Sequence, residues 1–133
     1  MFVATGRRDG PPILRVVNET RQTMLVERGR VASSVWARAK GLLGTRDLPA
    51  GEGLLIERCS SIHSFWMQYP FDAAFLNRDG RVVHIIHSMK PSRLSKHVFS
   101  ARSVLELPSG TLRATGTEVG DVLHWEVIPP DET

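Results

Sequence analysis

The stretch CSSIHSFWMQYPFDAAF, Cys59 to Phe75, gathers side-chain types that can do chemistry. It holds the only cysteine, one of five histidines and Asp72. A thiolate is the reactive form of cysteine, and an imidazole can generate it. Cys59, His63 and Asp72 therefore have the types of a nucleophile, a base and an orienting acid. Their spacing does not favour that arrangement. On an extended strand, four residues place Cys59 and His63 on one face but about 13 Å apart. A bend at Ser60-Ser61 would be needed to join them.

Two further residues widen the candidate site. Arg93 carries a forked guanidinium suited to a carboxylate or phosphate, although its loop also reads as a solvated basic segment. Glu106 alternates with Leu105 and Leu107, which turns it toward water; facing inward, it would be an acid/base candidate. The expected site is a small pocket bordered by His63, Trp66, Asp72 and Glu106, with Arg93 nearby. The plainer alternative is structural: a half-buried histidine bonded to a neighbour, Cys59 acting as a small hydrophobe, and aromatics filling the core. No CxxC or HExxH pattern occurs, and His84 and His87 point to opposite faces of a strand, so no metal or other cofactor is expected.

These residues must be positioned mainly by strands. Ile13–Val17, Met24–Glu27, Leu54–Glu57, Ala73–Leu76, Arg81–His87, Arg102–Leu107 and Val122–Ile128 each read as a strand between turn signals. Arg28-Gly29-Arg30 reads as a turn. Asn77-Arg78-Asp79-Gly80 is the strongest hairpin signal, because Asp-Gly supplies the positive φ that a tight turn needs. Residues 89–100 read as a polar, basic surface loop, and Thr111–Ala114 as one added helical turn. One clear helix is expected near residues 34–43. A serine can cap it, and Trp36, Ala39, Leu42 and Leu43 form its apolar stripe. The expected fold is mainly β, α+β at the margin: a compact antiparallel sandwich or small barrel of about seven or eight short strands. Residues 1–12 read as a flexible arm and 13–133 as one globular domain.

Bulk properties narrow the function classes. The 133 residues suit one domain. A lone cysteine excludes an internal disulfide. The net charge is +3, yet the basic residues are spread among acidic ones. Only Lys90, Arg93, Lys96 and His97 cluster, so nucleic acid is not the expected ligand. No apolar run reaches the ~20 residues of a membrane span. The first residues lack the apolar stretch of a secretory signal, which leads to a cytoplasmic expectation unless a leader has been trimmed.

The segments GLLGTRDLPAGEGLLI, HSFWMQYPFDAAFLNRDGRVV, SVLELPSGT and VGDVL, in that order, make the chain resemble the domain of unknown function 192 family, also called uncharacterised protein family 0127. The likeness spans about residues 20–128, and His63 through the Asp-Gly hairpin is its most specific part. The resemblance implies a compact, mainly β domain with a helix near its start. It implies no established activity. Many relatives carry a signal or lipoprotein segment, and none is expected from the first residues of this sequence. The family's recurrent polar positions would fall on His63, Asp72, Glu106 and Arg93. The resulting expectation is a small domain binding a polar or anionic ligand, or a peptide, near His63. A Cys–His hydrolase or isomerase is the first alternative. An assembly factor with a protein partner and no small ligand is the second.

Overall fold

The computed structural model describes residues 12–32, 48–64 and 67–130. Most of the arm, the helix expected over residues 34–43 and Trp66 lie outside the described residues. Seven strands follow in chain order: β1 (Ile13–Asn18), β2 (Thr23–Ala32), β3 (Leu54–Glu57), β4 (Phe71–Leu76), β5 (Val82–Met89), β6 (Ser103–Pro108) and β7 (Leu123–Ile128). A single helical turn, α1 (Thr111–Ala114), follows β6. The strands form one sheet in the order β5-β4-β6-β3-β2-β1-β7. The mainly β architecture is therefore as expected.

Every neighbouring pair is antiparallel except β2–β3. A parallel pair needs a crossover of a dozen or more residues, and residues 33–53 supply that length.

The sheet does not close into a barrel, but it curls far. Arg81 and Val122, the residues just before the two edge strands, form one isolated bridge. Two apolar clusters result. The concave cluster takes residues from all seven strands, among them Leu14, Val26, Leu55, Ala74, Val82, Leu105 and Leu123, and α1 adds Leu112. The second lies on the convex face of β3, β4 and β6. Ile56, Ala73, Phe75 and Val104 form its floor. Cys59, Ile62, Met67, Tyr69, Val98 and Ala101 descend on it from two loops, residues 58–70 and 90–102.

One expected turn is absent. Arg28–Arg30 continues β2, with register shifts against β1 between Leu14 and Val17. Gly29 is needed there for close approach: a Cβ would lie 2.7 Å from a Val26 methyl and 2.8 Å from the Gly53 carbonyl. Glycine here is a packing requirement, and its neighbours make it look like a turn signal. The Asn77–Gly80 hairpin forms as expected. The Asn77 side chain accepts from the Asp79 and Arg81 N–H groups, and Gly80 has φ 83°.

Candidate functional site

Two of the expected pocket members, Asp72 and Glu106, are held on different layers. Asp72 and Glu106 sit on paired strands, where Ala73 opposes Glu106 and Asp72 opposes Leu107. Opposed residues share a face and successive residues alternate. Glu106 therefore lies on the convex face with Ala73 and Val104, while Asp72 lies on the concave side with Leu107. Both are fully buried. Glu106 does not face water as its alternation suggested, because loops cover the convex side of β6 as well. The structure does not bring these two carboxylates together.

Asp72 has a definite structural task. Its Oδ1 accepts from the Ser88 N–H at 2.8 Å. Its Oδ2 accepts from the Gly110 N–H at 3.1 Å and the Leu112 N–H at 2.9 Å. It thus supplies, from another strand, the acceptor that the first turn of α1 lacks. It also fixes the end of β5, where Ser88 has φ 49°.

The two loops above the convex face pair with each other. His63 and Leu94 form an isolated antiparallel bridge. Ser64 N–H donates to the Arg93 carbonyl at 2.8 Å, Ser95 N–H to the Ile62 carbonyl at 2.9 Å, and Val98 N–H to the Ser60 carbonyl at 2.8 Å. This short ribbon roofs the convex cluster. Alternation turns Ile62 and Ser64, both buried, toward the sheet. It leaves half-buried His63 on the same side as Leu94, which is 69% exposed.

Ser64 pins the roof, and its role was not read from the sequence. Its Oγ donates to the Lys90 carbonyl at 2.6 Å and accepts from the Arg93 N–H at 2.9 Å. Its carbonyl accepts from the Ser92 N–H at 2.8 Å. Ser92 takes φ 63°, a left-handed conformation uncommon for serine. A serine in this stretch carries no mark of such bonding in the sequence, because its partners at Lys90 and Arg93 lie more than 25 residues away.

The roof is cationic. Lys90, Arg93, Lys96 and His97 are exposed, and residues 80–105 contain no aspartate or glutamate. Arg93 is held by Ser64 at both its N–H and its carbonyl, so its side chain extends from a fixed root. His97 Nδ1 lies 3.3 Å from Ser60 Oγ, tying the basic loop to its partner loop. Below, His84 stacks obliquely on Phe75 with ring centroids 5.2 Å apart. Burial, then the positive charge of Lys96, holds the His84 imidazole below its usual pKa.

Cys59 is 5% exposed, and its Sγ donates to the Ser61 carbonyl at 3.0 Å. That position suits a packed thiol better than a nucleophile. Among the described residues, no group of three or more His, Cys, Asp or Glu side chains could hold a metal ion. No helix among them is long and apolar enough to cross a membrane. Clefts bordered by described residues open elsewhere. One, of about 230 Å³, is bordered by Arg15, Arg28 and Glu52; another, of about 400 Å³, by Val31, Trp125 and Val127. Neither is lined by His63, Asp72, Arg93 or Glu106.

Known proteins share this framework. The chain is 31% identical over 113 residues to a UPF0127 protein of Pyrococcus horikoshii, covering 83% of this chain and 97% of the relative. It is 26% identical over 116 residues to a UPF0127 protein of Thermococcus sibiricus, covering 84% and 75%. A crystal structure of a protein of unknown function from Novosphingobium aromaticivorans superposes with a TM-score of 0.72 at 21% identity, over 94% of this chain and 99% of that one. The family model described as DUF192, Uncharacterized ACR, matches residues 16–125, so the chain belongs to the DUF192 family of uncharacterised proteins.

Proposed function

We propose that this chain is a binding domain for a small anionic ligand, taken on the outward side of the ribbon with Arg93 and His63 as recognition residues. The observation that carries the reading is the cationic roof. Lys90, Arg93, Lys96 and His97 stand exposed within a stretch of 26 residues, 80–105, that itself contains no aspartate or glutamate. A planar or tetrahedral oxyanion suits a guanidinium fork, because two parallel N–H bonds fix its orientation. Anchoring the Arg93 backbone on Ser64 lowers the conformational entropy lost on binding.

Binding is favoured over nucleophilic catalysis by two features. The Cys59 thiol is packed and bonded to a carbonyl. Both Asp72 oxygens are taken by backbone donors, so that carboxylate serves the scaffold.

Calorimetric titration and thermal shift with inorganic phosphate and with citrate test the reading. Arg93→Ala should weaken binding about tenfold, the value of one charge-assisted hydrogen bond, without lowering the unliganded melting temperature. His63→Ala should weaken it less. Identical titrations for the parent chain and Arg93→Ala would remove the reading.

A further inference from the structure

We infer that the anion met by this roof is the headgroup of a lipid surface, and that residues 90–100 dock peripherally on an anionic bilayer with Phe99 and Leu94 entering its interface. The inference rests on the anion-binding reading above and names the source of the anion.

The observation behind it is an aromatic ring where the fold has no use for one. Val98 and Ala101 are buried and joined by a turn, with Ala101 N–H donating to the Val98 carbonyl at 3.0 Å. Phe99 sits at the tip of that turn and is 90% exposed. Turn tips favour Gly, Asn, Asp, Ser and Pro for backbone reasons, and none of those reasons applies to phenylalanine. Its ring meets that of His97, also exposed, edge-on with centroids 4.5 Å apart. Leu94 is 69% exposed on the same loop.

Both side chains stand mostly in solvent, and both are flanked by Lys90, Arg93, Lys96 and His97. An inserted apolar group beside a basic cluster is the two-part signal that peripheral membrane binding requires, since either part alone gives weak and reversible attachment. The ribbon bonds between residues 60–64 and 92–98 hold the loop as a preformed shape. An acidic protein segment would satisfy the charges, but it would not call for a protruding ring at a turn tip.

The full chain is to be sedimented with vesicles of phosphatidylcholine alone and of phosphatidylcholine mixed with phosphatidylglycerol, and titrated separately with soluble glycerol phosphate. The expected result is pelleting with the mixed vesicles only, weakened by added salt as screening requires. Phe99→Ser should reduce partitioning about tenfold, the order expected from withdrawing one aromatic side chain from an apolar environment. Leu94→Ser should reduce it less, and Lys96→Glu should abolish the preference for the anionic vesicles. Val119→Ser, which removes a 59% exposed apolar residue elsewhere, should pellet like the parent. No pelleting, or equal pelleting of the parent and Phe99→Ser, overturns the inference. If glycerol phosphate still binds in that case, the soluble-anion reading stands alone; if it does not, both fall. Binding of a polyglutamate peptide without vesicle binding would reassign the surface to an acidic protein segment and also overturn the inference.

Discussion

Asp72 and Glu106 lie on adjacent strands, both fully buried, and face opposite ways. Asp72 belongs to the concave side, where every strand contributes hydrocarbon and the carboxylate is locked by three backbone N–H groups. Glu106 belongs to the convex side, which the sheet alone cannot cover. Two loops complete that layer, pinned to each other by a few hydrogen bonds around Ser64. The contrast separates two jobs. The concave layer specifies the fold cooperatively, because any change there is felt by all strands. The roof is a local structure laid over it and can vary its outward side chains at little cost to the core.

Breaking the concave clamp should have the largest effect. Asp72→Ala leaves three donors without their acceptor, two of them at α1, and should cost about 3–5 kcal/mol of global stability in urea unfolding. Asp72→Asn keeps an acceptor oxygen and should cost less. A loss under about 1 kcal/mol for the alanine variant would mean that water replaces the carboxylate and the clamp is dispensable.

Ser64→Ala should have a smaller and differently distributed effect. It removes one donor and one acceptor beneath the roof, worth about 1–3 kcal/mol. Hydrogen exchange should accelerate at Arg93, Ser95 and Val98 while the amides of β4 and β6 keep their protection. Uniform acceleration across the sheet would show that roof and core unfold as one unit.

The smallest effect is electrostatic and lies at the far end of the concave layer. There Asn18 Nδ2 donates to Thr117 Oγ1 at 3.1 Å and to Asp121 Oδ2 at 3.0 Å, and Arg21 Nε donates to the same oxygen at 2.9 Å. Burial alone would push the Asp121 carboxyl up. The bonds from Arg21, Asn18 and the Glu118 N–H, with the charge of Arg21, hold it below its usual value. A carboxyl depressed in the folded state adds stability that is full above its unfolded pKa and is lost as pH falls through the lower folded one. The melting temperature should therefore decline as pH drops below about 4, and Arg21→Ala should flatten part of that decline. An unchanged slope in Arg21→Ala would place the acid sensitivity elsewhere.

Where the strands fall along the chain could largely be read in advance because turn chemistry is local. Asn77–Gly80 announces itself through residues that favour positive φ or cap their own backbone. Gly29 misled for the same reason, since a glycine required by a neighbouring strand looks like one required by a turn. Glu106 was harder. Its alternation with Leu105 and Leu107 is that of a half-exposed strand, and only the covering loops, which sequence periodicity cannot place, decide that both faces are buried. Asp72 and Glu106 part on the same point, since neighbouring strands carry them on opposite faces. Residue types identified side chains worth attention, but the face each occupies depends on which strand pairs with which. The basic cluster at Lys90–His97 was visible in the sequence. Its projection from a rigid ribbon, with Phe99 at the tip, was not, because that follows from the pairing of two loops with no periodicity of their own.

The most direct test of the division between core and roof is an amide and side-chain NMR titration of the full chain with inorganic phosphate. The account predicts shift changes concentrated at His63, Ser92, Arg93, Lys96 and His97, with the concave residues Leu14, Leu105 and Leu123 unmoved. Changes centred instead on the cleft bordered by Arg15 and Arg28, or no saturable change at all, would contradict it.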